Sequence, residues 1–134
     1  MIMDAFFPYQ QTSGDVIVRV AVNFLPEQSD PRSHRWFWAY HIRIENHGTS
    51  PVQLLTRRWE ISDERGGLHQ VEGDGVVGEQ PVIQPGNSFD YVSGCPLNTP
   101  SGAMRGAYGM IDATGREFEA GIPEFLLKDP VTAA

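Results

Sequence analysis

Trp36-Phe37-Trp38-Ala39-Tyr40-His41-Ile42-Arg43-Ile44-Glu45-Asn46 is the stretch that decides the fold. Bulky side chains fall on every second residue, at Trp36, Trp38, Tyr40, Ile42 and Ile44, while Ala39, His41, Arg43 and Glu45 occupy the other set. Successive side chains of a strand point to opposite faces, so this period of two defines a half-buried β-strand and not an amphipathic helix. Its aromatic-to-aliphatic face is expected in the middle of the core. Asn46-His47-Gly48 then turns the chain, because Asn and Gly accept positive φ cheaply.

The same period extends outward in both directions. Towards the N-terminus, Val16, Val18, Val20 and Val22 alternate with Ile17, Arg19, Ala21 and Asn23, and a polar loop containing Pro31 follows over residues 26–34. Towards the C-terminus, residues 52–62 read as a strand whose parity slips. Val52 and Leu54 lie on one face, and Leu55, Trp59 and Ile61 on the other, which predicts a β-bulge or a strand that changes sheets. Asp63-Glu64-Arg65-Gly66-Gly67 is a hairpin turn returning through Leu68 to Val71. Gln84-Pro85-Gly86-Asn87 has proline and glycine where a type II turn wants them. Phe89, Tyr91 and Ser93 alternate in a further strand, Met104 to Asp112 in another, and Ala113-Thr114-Gly115 closes a hairpin to residues 116–120. A last extended piece covers residues 122–127.

No stretch carries helical spacing over three turns, and neither repeat nor linker divides the chain. About seven to eight short strands separated by turns define an all-β fold, an immunoglobulin-like or fibronectin type III-like sandwich. One domain over residues 1–134 is expected, with its core at about 14–128 and flexible ends.

Composition narrows the function. Ten Lys and Arg against 17 Asp and Glu give a net charge of −7. That balance excludes a phosphate-tracking nucleic-acid surface, so nucleic acid is not an expected partner. Cys95 is the single cysteine, which rules out an internal disulfide. Residues 1–10 hold neither a Lys or Arg nor a long apolar run, as a signal peptide or membrane span would require. The expectation is a cytoplasmic protein with no membrane partner.

Gly73-Asp74-Gly75-Val76-Val77-Gly78 matches G-x-G-x-x-G letter for letter. In a dinucleotide fold those glycines lead into a helix whose N-terminus holds a pyrophosphate. Here Glu79-Gln80-Pro81 follows and starts no helix. The glycines then serve as positive-φ positions in a shaped loop, or their amides form an anion nest without a helix, against the charge of Asp74 and Glu79. His34, His41, His47 and His69 show no zinc spacing, the carboxylates match no EF-hand, and no metal or cofactor is expected. Cys95 precedes Pro96 with no sequence-readable base, so it reads as a partly buried thiol and not a nucleophile. Arg57-Arg58-Trp59 is either an exposed hot-spot cluster or a core tryptophan with two solvated neighbours.

Several blocks resemble the bacterial ApaG family: Pro51-Val52-Gln53-Leu54-Leu55 with Arg57, Trp59 and Ile61, and Val71 through Gly73, Gly75-Val76-Val77-Gly78 and Glu79-Gln80-Pro81. Gln84-Pro85-Gly86, Tyr91 with Ser93-Gly94, Gly106 with Tyr108, Met110 and Asp112, and Phe118 with Ile122-Pro123, Phe125 and Leu127 complete the series. The resemblance runs from about Val16 to Leu127. It implies a fibronectin type III-like sandwich, a link to cobalt resistance and magnesium efflux, and kinship with interaction modules of eukaryotic F-box and DNA-polymerase-interacting proteins. It brings no catalytic residues, and maps a pyrophosphate-binding proposal onto Gly73, Gly75 and Gly78. The expectation is therefore a non-enzymatic module binding a protein partner through Arg57, Arg58, Trp59, Val76 and Val77. The alternative is a phosphate-containing ligand or divalent cation at the glycine loop. Edge strands also leave homodimerisation open.

Overall fold

Nine strands, all paired antiparallel, build two facing sheets in the computed structural model, which describes residues 6–131. The strands are β1 (Tyr9–Ser13), β2 (Val16–Phe24), β3 (Trp36–Asn46), β4 (Val52–Asp63), β5 (Leu68–Asp74), β6 (Val82–Ile83), β7 (Ser88–Leu97), β8 (Ser101–Asp112) and β9 (Glu117–Lys128). One sheet runs β1-β2-β3-β7 and the other β5-β4-β8-β9, with β6 also paired to β4. The expected sandwich is present. Its count is nine because pairing begins at Tyr9, where Tyr9–Ser13 registers on Val20 to Val16, and not near residue 14. Three polar residues in a row, Gln10-Gln11-Thr12, hide that strand from a hydrophobic pattern. The flexible ends expected on either side fall in part on residues 1–5 and 132–134, outside the described residues.

β3 is the spine of the first sheet. Trp36, Trp38, Tyr40, Ile42 and Ile44 are all buried, as are Val16, Val18 and Val20 beside them. They meet Trp59 of β4 and Phe125 of β9 across the sandwich. Tyr40 and Trp59 lie 5.5 Å apart edge to face, and Trp59 and Phe125 6.0 Å apart at 88°. Such geometry suits the ring quadrupoles and adds about 0.5–1.5 kcal/mol per pair beyond burial. Trp38 also donates its indole N–H to the Lys128 carbonyl at 2.9 Å, and Trp36 donates to the buried Asp129 carboxylate at 3.1 Å. Those two bonds fasten the end of β9 to the opposite sheet.

Asn46 is part of this core, not only of a turn. It is 1% exposed. Its amide donates to the carbonyls of Ser50 (2.8 Å) and Ile83 (2.9 Å), and its carbonyl oxygen accepts from the Gly48 N–H (2.9 Å). One side chain thus ties the β3–β4 loop to β6. The type II turn at 84–87 forms as expected, with Asn87 N–H on the Gln84 carbonyl and Gly86 at φ +80°.

The parity slip in β4 is a bulge. Pairing with β8 skips Leu55 between Leu54 and Thr56. Val52 and Leu54 point inward before it, and Arg57, Trp59 and Ile61 after it. At the same level the partner strands break: β6 pairs with Val52 and Gln53, β5 with Thr56 to Ser62, and the glycine loop joins them. A second bulge, in β9, explains why residues 116–127 read as two pieces; they form one strand whose register shifts opposite Met104 and Gly106.

The sandwich closes along one side, where β9 packs on β1 and β2. There the Gly121 N–H donates to the Ser13 hydroxyl at 3.0 Å. On the other side β5 and β7 are sheet edges, and the gap between them is a groove.

Candidate functional site

The glycine loop is a tight hairpin tip. The Val76 N–H donates to the Glu79 carbonyl (2.8 Å) and the Glu79 N–H to the Val76 carbonyl (2.9 Å), leaving Val77 and Gly78 as the two central residues. Both have positive φ, +44° and +80°. That is the pattern of a type I′ turn, which Asn-Gly fills most readily. Valine there is a genuine outlier, since a β-branched side chain clashes in the left-handed region. Val76 is 1% exposed, whereas Val77 is 57% exposed.

The three motif glycines meet different needs. A Cβ on Gly73 would lie 2.8 Å from the Arg57 guanidinium, which packs flat over that position. One on Gly75, at φ +65°, would collide with the Glu79 carbonyl. Gly78 has open space and is selected by its φ alone. The loop's polar groups are largely committed. The Gly75 N–H donates to the Leu55 carbonyl (2.8 Å), and Arg57 Nη1 donates to the carbonyls of Asp74 and Gly75, both at 2.9 Å. With the Gly75, Val76 and Glu79 amides engaged, an anion at the tip is left with the Val77 and Gly78 amides.

Arg57, Arg58 and Trp59 lie in three different settings. Trp59 is 4% exposed in the core. Arg58 points to the outer face and pairs with Glu119 at 3.3 Å. Arg57 points inward, half-buried, and clamps the loop. The structure joins Arg57, Val76, Val77 and Gly78 in one place and leaves Arg58 outside it.

That place is the groove between β5 and β7, a cavity of about 1000 Å³. Its floor is polar aromatic: Tyr40, Tyr91 and Ser93 of the first sheet face Arg57, Trp59 and Val71 of the second. Tyr91 and Tyr108 share a hydroxyl–hydroxyl hydrogen bond of 2.5 Å, and Ser93 lies directly across from Tyr40 in the β3–β7 register. Burial pushes all three phenols up, so they stay protonated donors at neutral pH. Burial likewise pushes the Cys95 thiol up to about 11, which leaves it a neutral thiol and a poor nucleophile. Tyr40, Tyr91 and Tyr108 each occupy an ordinary strand position in the sequence, and nothing local signals that Tyr40 and Tyr91 share a groove floor.

The histidines are dispersed. His41 pairs with Asp90 at 2.8 Å and His47 with Glu45 at 2.7 Å on the outer face of the first sheet, while His34 and His69 line the groove. Among the described residues no three His, Cys, Asp or Glu side chains gather as a metal site. Also among the described residues, no helix is long and apolar enough to cross a membrane.

Fold and groove together define a small antiparallel sandwich domain, closed on one side and grooved on the other. The ApaG domain model matches residues 26–112, and the chain belongs to that family. Relatives called Protein ApaG cover nearly all of it. One from Rhodospirillum centenum is 50% identical over 122 residues (91% of this chain, 94% of the relative), and one from Caulobacter vibrioides 47% identical over 125 residues (93% and 89%). A crystal structure assigned to an ApaA protein of Bordetella pertussis superposes with a TM-score of 0.85 at 47% identity, covering 88% of this chain and 96% of the other. None of these names is that of an enzyme. The C-terminal domain of wzt, 9% identical with a TM-score of 0.52 over 90% of this chain and 76% of that one, shares the fold alone.

Proposed function

We propose that the chain is a non-enzymatic binding module that engages a protein partner through its open side, with the glycine-loop tip as the contact. One observation carries this reading. Val77 presents an apolar side chain, 57% exposed, from a left-handed conformation that valine resists. Outliers of this kind cost about 1–3 kcal/mol and persist where the surroundings enforce them, often at binding loops. Val71, 40% exposed at the groove mouth, extends the apolar surface. The cobalt-resistance and magnesium-efflux link then runs through the partner. Direct binding of a phosphate ligand or divalent cation at Gly73, Gly75 and Gly78 has less support, since the Gly75, Val76 and Glu79 amides bond within the loop and to Leu55.

Val77→Asp tests it, because aspartate tolerates the backbone and removes the apolar tip. Immobilised wild type and variant are incubated with extract, and captured proteins are compared after the variant is shown to melt no lower than wild type. A protein held by wild type and lost from the variant is the expected result. No specific capture by wild type, or equal capture by both, refutes the reading.

A further inference from the structure

The open side holds a charge that the rest of the molecule does not explain. Arg57 spends Nη1 on two carbonyls, but among the described residues Nε and Nη2 have neither a hydrogen-bond partner nor a carboxylate within ion-pair distance. These two nitrogens form one edge of the guanidinium, the fork that receives a carboxylate in a bidentate pair. The surroundings reinforce the sign. On a chain with seven more acidic than basic residues, the groove is lined by Arg35, Arg57, His34 and His69 against one acid, Asp63. Asp63 Oδ1 is already occupied by the N–H groups of Arg65 and Gly67, at 2.8 and 2.9 Å. The groove is therefore the place on this acidic protein where an anion is welcome.

We propose that the groove is a binding site for a small carboxylate-bearing molecule with an apolar or aromatic body. The carboxylate takes the free edge of Arg57, and the body lies against Trp59, Val71 and Val77. At about 1000 Å³ the cavity has room for a drug-sized ligand. A carboxylate fits better than a phosphate on two counts. The site offers one fixed guanidinium, matching one negative charge, and three of the loop amides, those of Gly75, Val76 and Glu79, are engaged elsewhere. Tyrosine hydroxyls held protonated by burial leave the floor without an anion to repel the ligand. This site goes beyond the partner-binding tip and stands or falls separately, since its ligand reaches Arg57 inside the groove and not the outer face of Val77.

The test is an amide-shift titration of the intact chain with phenylacetate, phenylacetamide and inorganic phosphate, each to millimolar concentration. Phenylacetate is expected to move amides of Val71, Gly73 and Ser93, and the neutral amide of the same shape to bind about tenfold weaker or less. Arg57→Gln should lower phenylacetate affinity by a similar factor. Because that variant also loosens the clamp on Asp74 and Gly75, the acid–amide comparison on unaltered protein decides if the variant misfolds. Equal titration by acid and amide, no groove shifts with phenylacetate, or phosphate moving Val77 and Gly78 at lower concentration would each overturn the site.

Discussion

Replacing Val77 by asparagine should stabilise the protein, although valine is the more hydrophobic residue. Val77 sits at φ +44° in a two-residue turn followed by Gly78 at φ +80°. A residue forced into the left-handed region costs roughly 1–2 kcal/mol, and β-branching makes valine worse than average. Asparagine relieves most of that strain, because its side chain bonds the local backbone and Asn-Gly is the preferred type I′ pair. Against this stands the lost apolar contact. Full burial of a valine is worth roughly 1.5–3 kcal/mol, but Val77 is 57% exposed, so less than half applies. The net expectation is a gain of about 0.5–1 kcal/mol. With a urea slope of about 1–3 kcal/mol/M, the midpoint should rise by a few tenths of a molar. Equilibrium urea unfolding followed by fluorescence of the three tryptophans reads it directly. An unchanged slope with a raised midpoint is expected; a midpoint that falls would show that Val77 is retained for packing and would refute the strain argument. If the stabilised variant also loses its partner, strain and binding reside in the same residue.

Three further outcomes follow from the core. Asn46→Ala removes three hydrogen bonds and strands the Ile83 carbonyl, so unfolding free energy should drop by about 2–4 kcal/mol in the same urea assay; a loss under about 1 kcal/mol would mean that water replaces the amide. Trp38→Ala should cost about 3–5 kcal/mol or more, since it opens a cavity and leaves the Lys128 carbonyl unpaired; a smaller loss would show that the core collapses around the gap. Alkaline pH should destabilise the fold, with the sign set by groups whose folded pKa is raised. Cys95 goes from 9.0 to about 11, so its contribution, roughly 2–3 kcal/mol, is whole below pH 9 and is lost as pH rises through about 11. Tyr40, Tyr91 and Tyr108 shift the same way and deepen the loss. Thermal melts between pH 7 and 11 on wild type and Cys95→Ala check this, the variant being expected to lose less over that interval; identical slopes would remove the thiol from the account.

Most of the sandwich was legible because its strands announce themselves by parity. β2 and β3 carry alternation strong enough to place almost every core residue, and the turns at 63–67, 84–87 and 113–115 carry their own residue chemistry. β1 was not legible, since a polar edge strand is held by backbone pairing and by Ser13 and Tyr9 hydroxyls reaching β9, none of which leaves a hydrophobic trace. Asn46 was half legible: an asparagine before His-Gly signals a turn, but its burial depends on the Ile83 carbonyl, 37 residues away. The site was legible only as composition. The glycines and the Arg-Arg-Trp cluster stand out, yet no local signal separates an arginine facing the groove from one facing water.

What separates them is the bulge. Were β4 regular, the parity set by Val52 and Leu54 would carry Arg58 inward and turn Arg57 and Trp59 to solvent. The extra residue at Leu55 reverses this, placing Trp59 in the core, Arg58 on Glu119 and Arg57 in the groove. The same residue accounts for the loop. Its carbonyl, freed from the ladder with β8, accepts the Gly75 N–H at 2.8 Å and the Gln80 side-chain amide at 2.9 Å, anchoring both ends of the glycine turn. A single inserted residue in β4 thus positions the left-handed valine and the groove-facing arginine together. The bulge, more than the G-x-G-x-x-G letters, is what makes this edge of the sandwich a site.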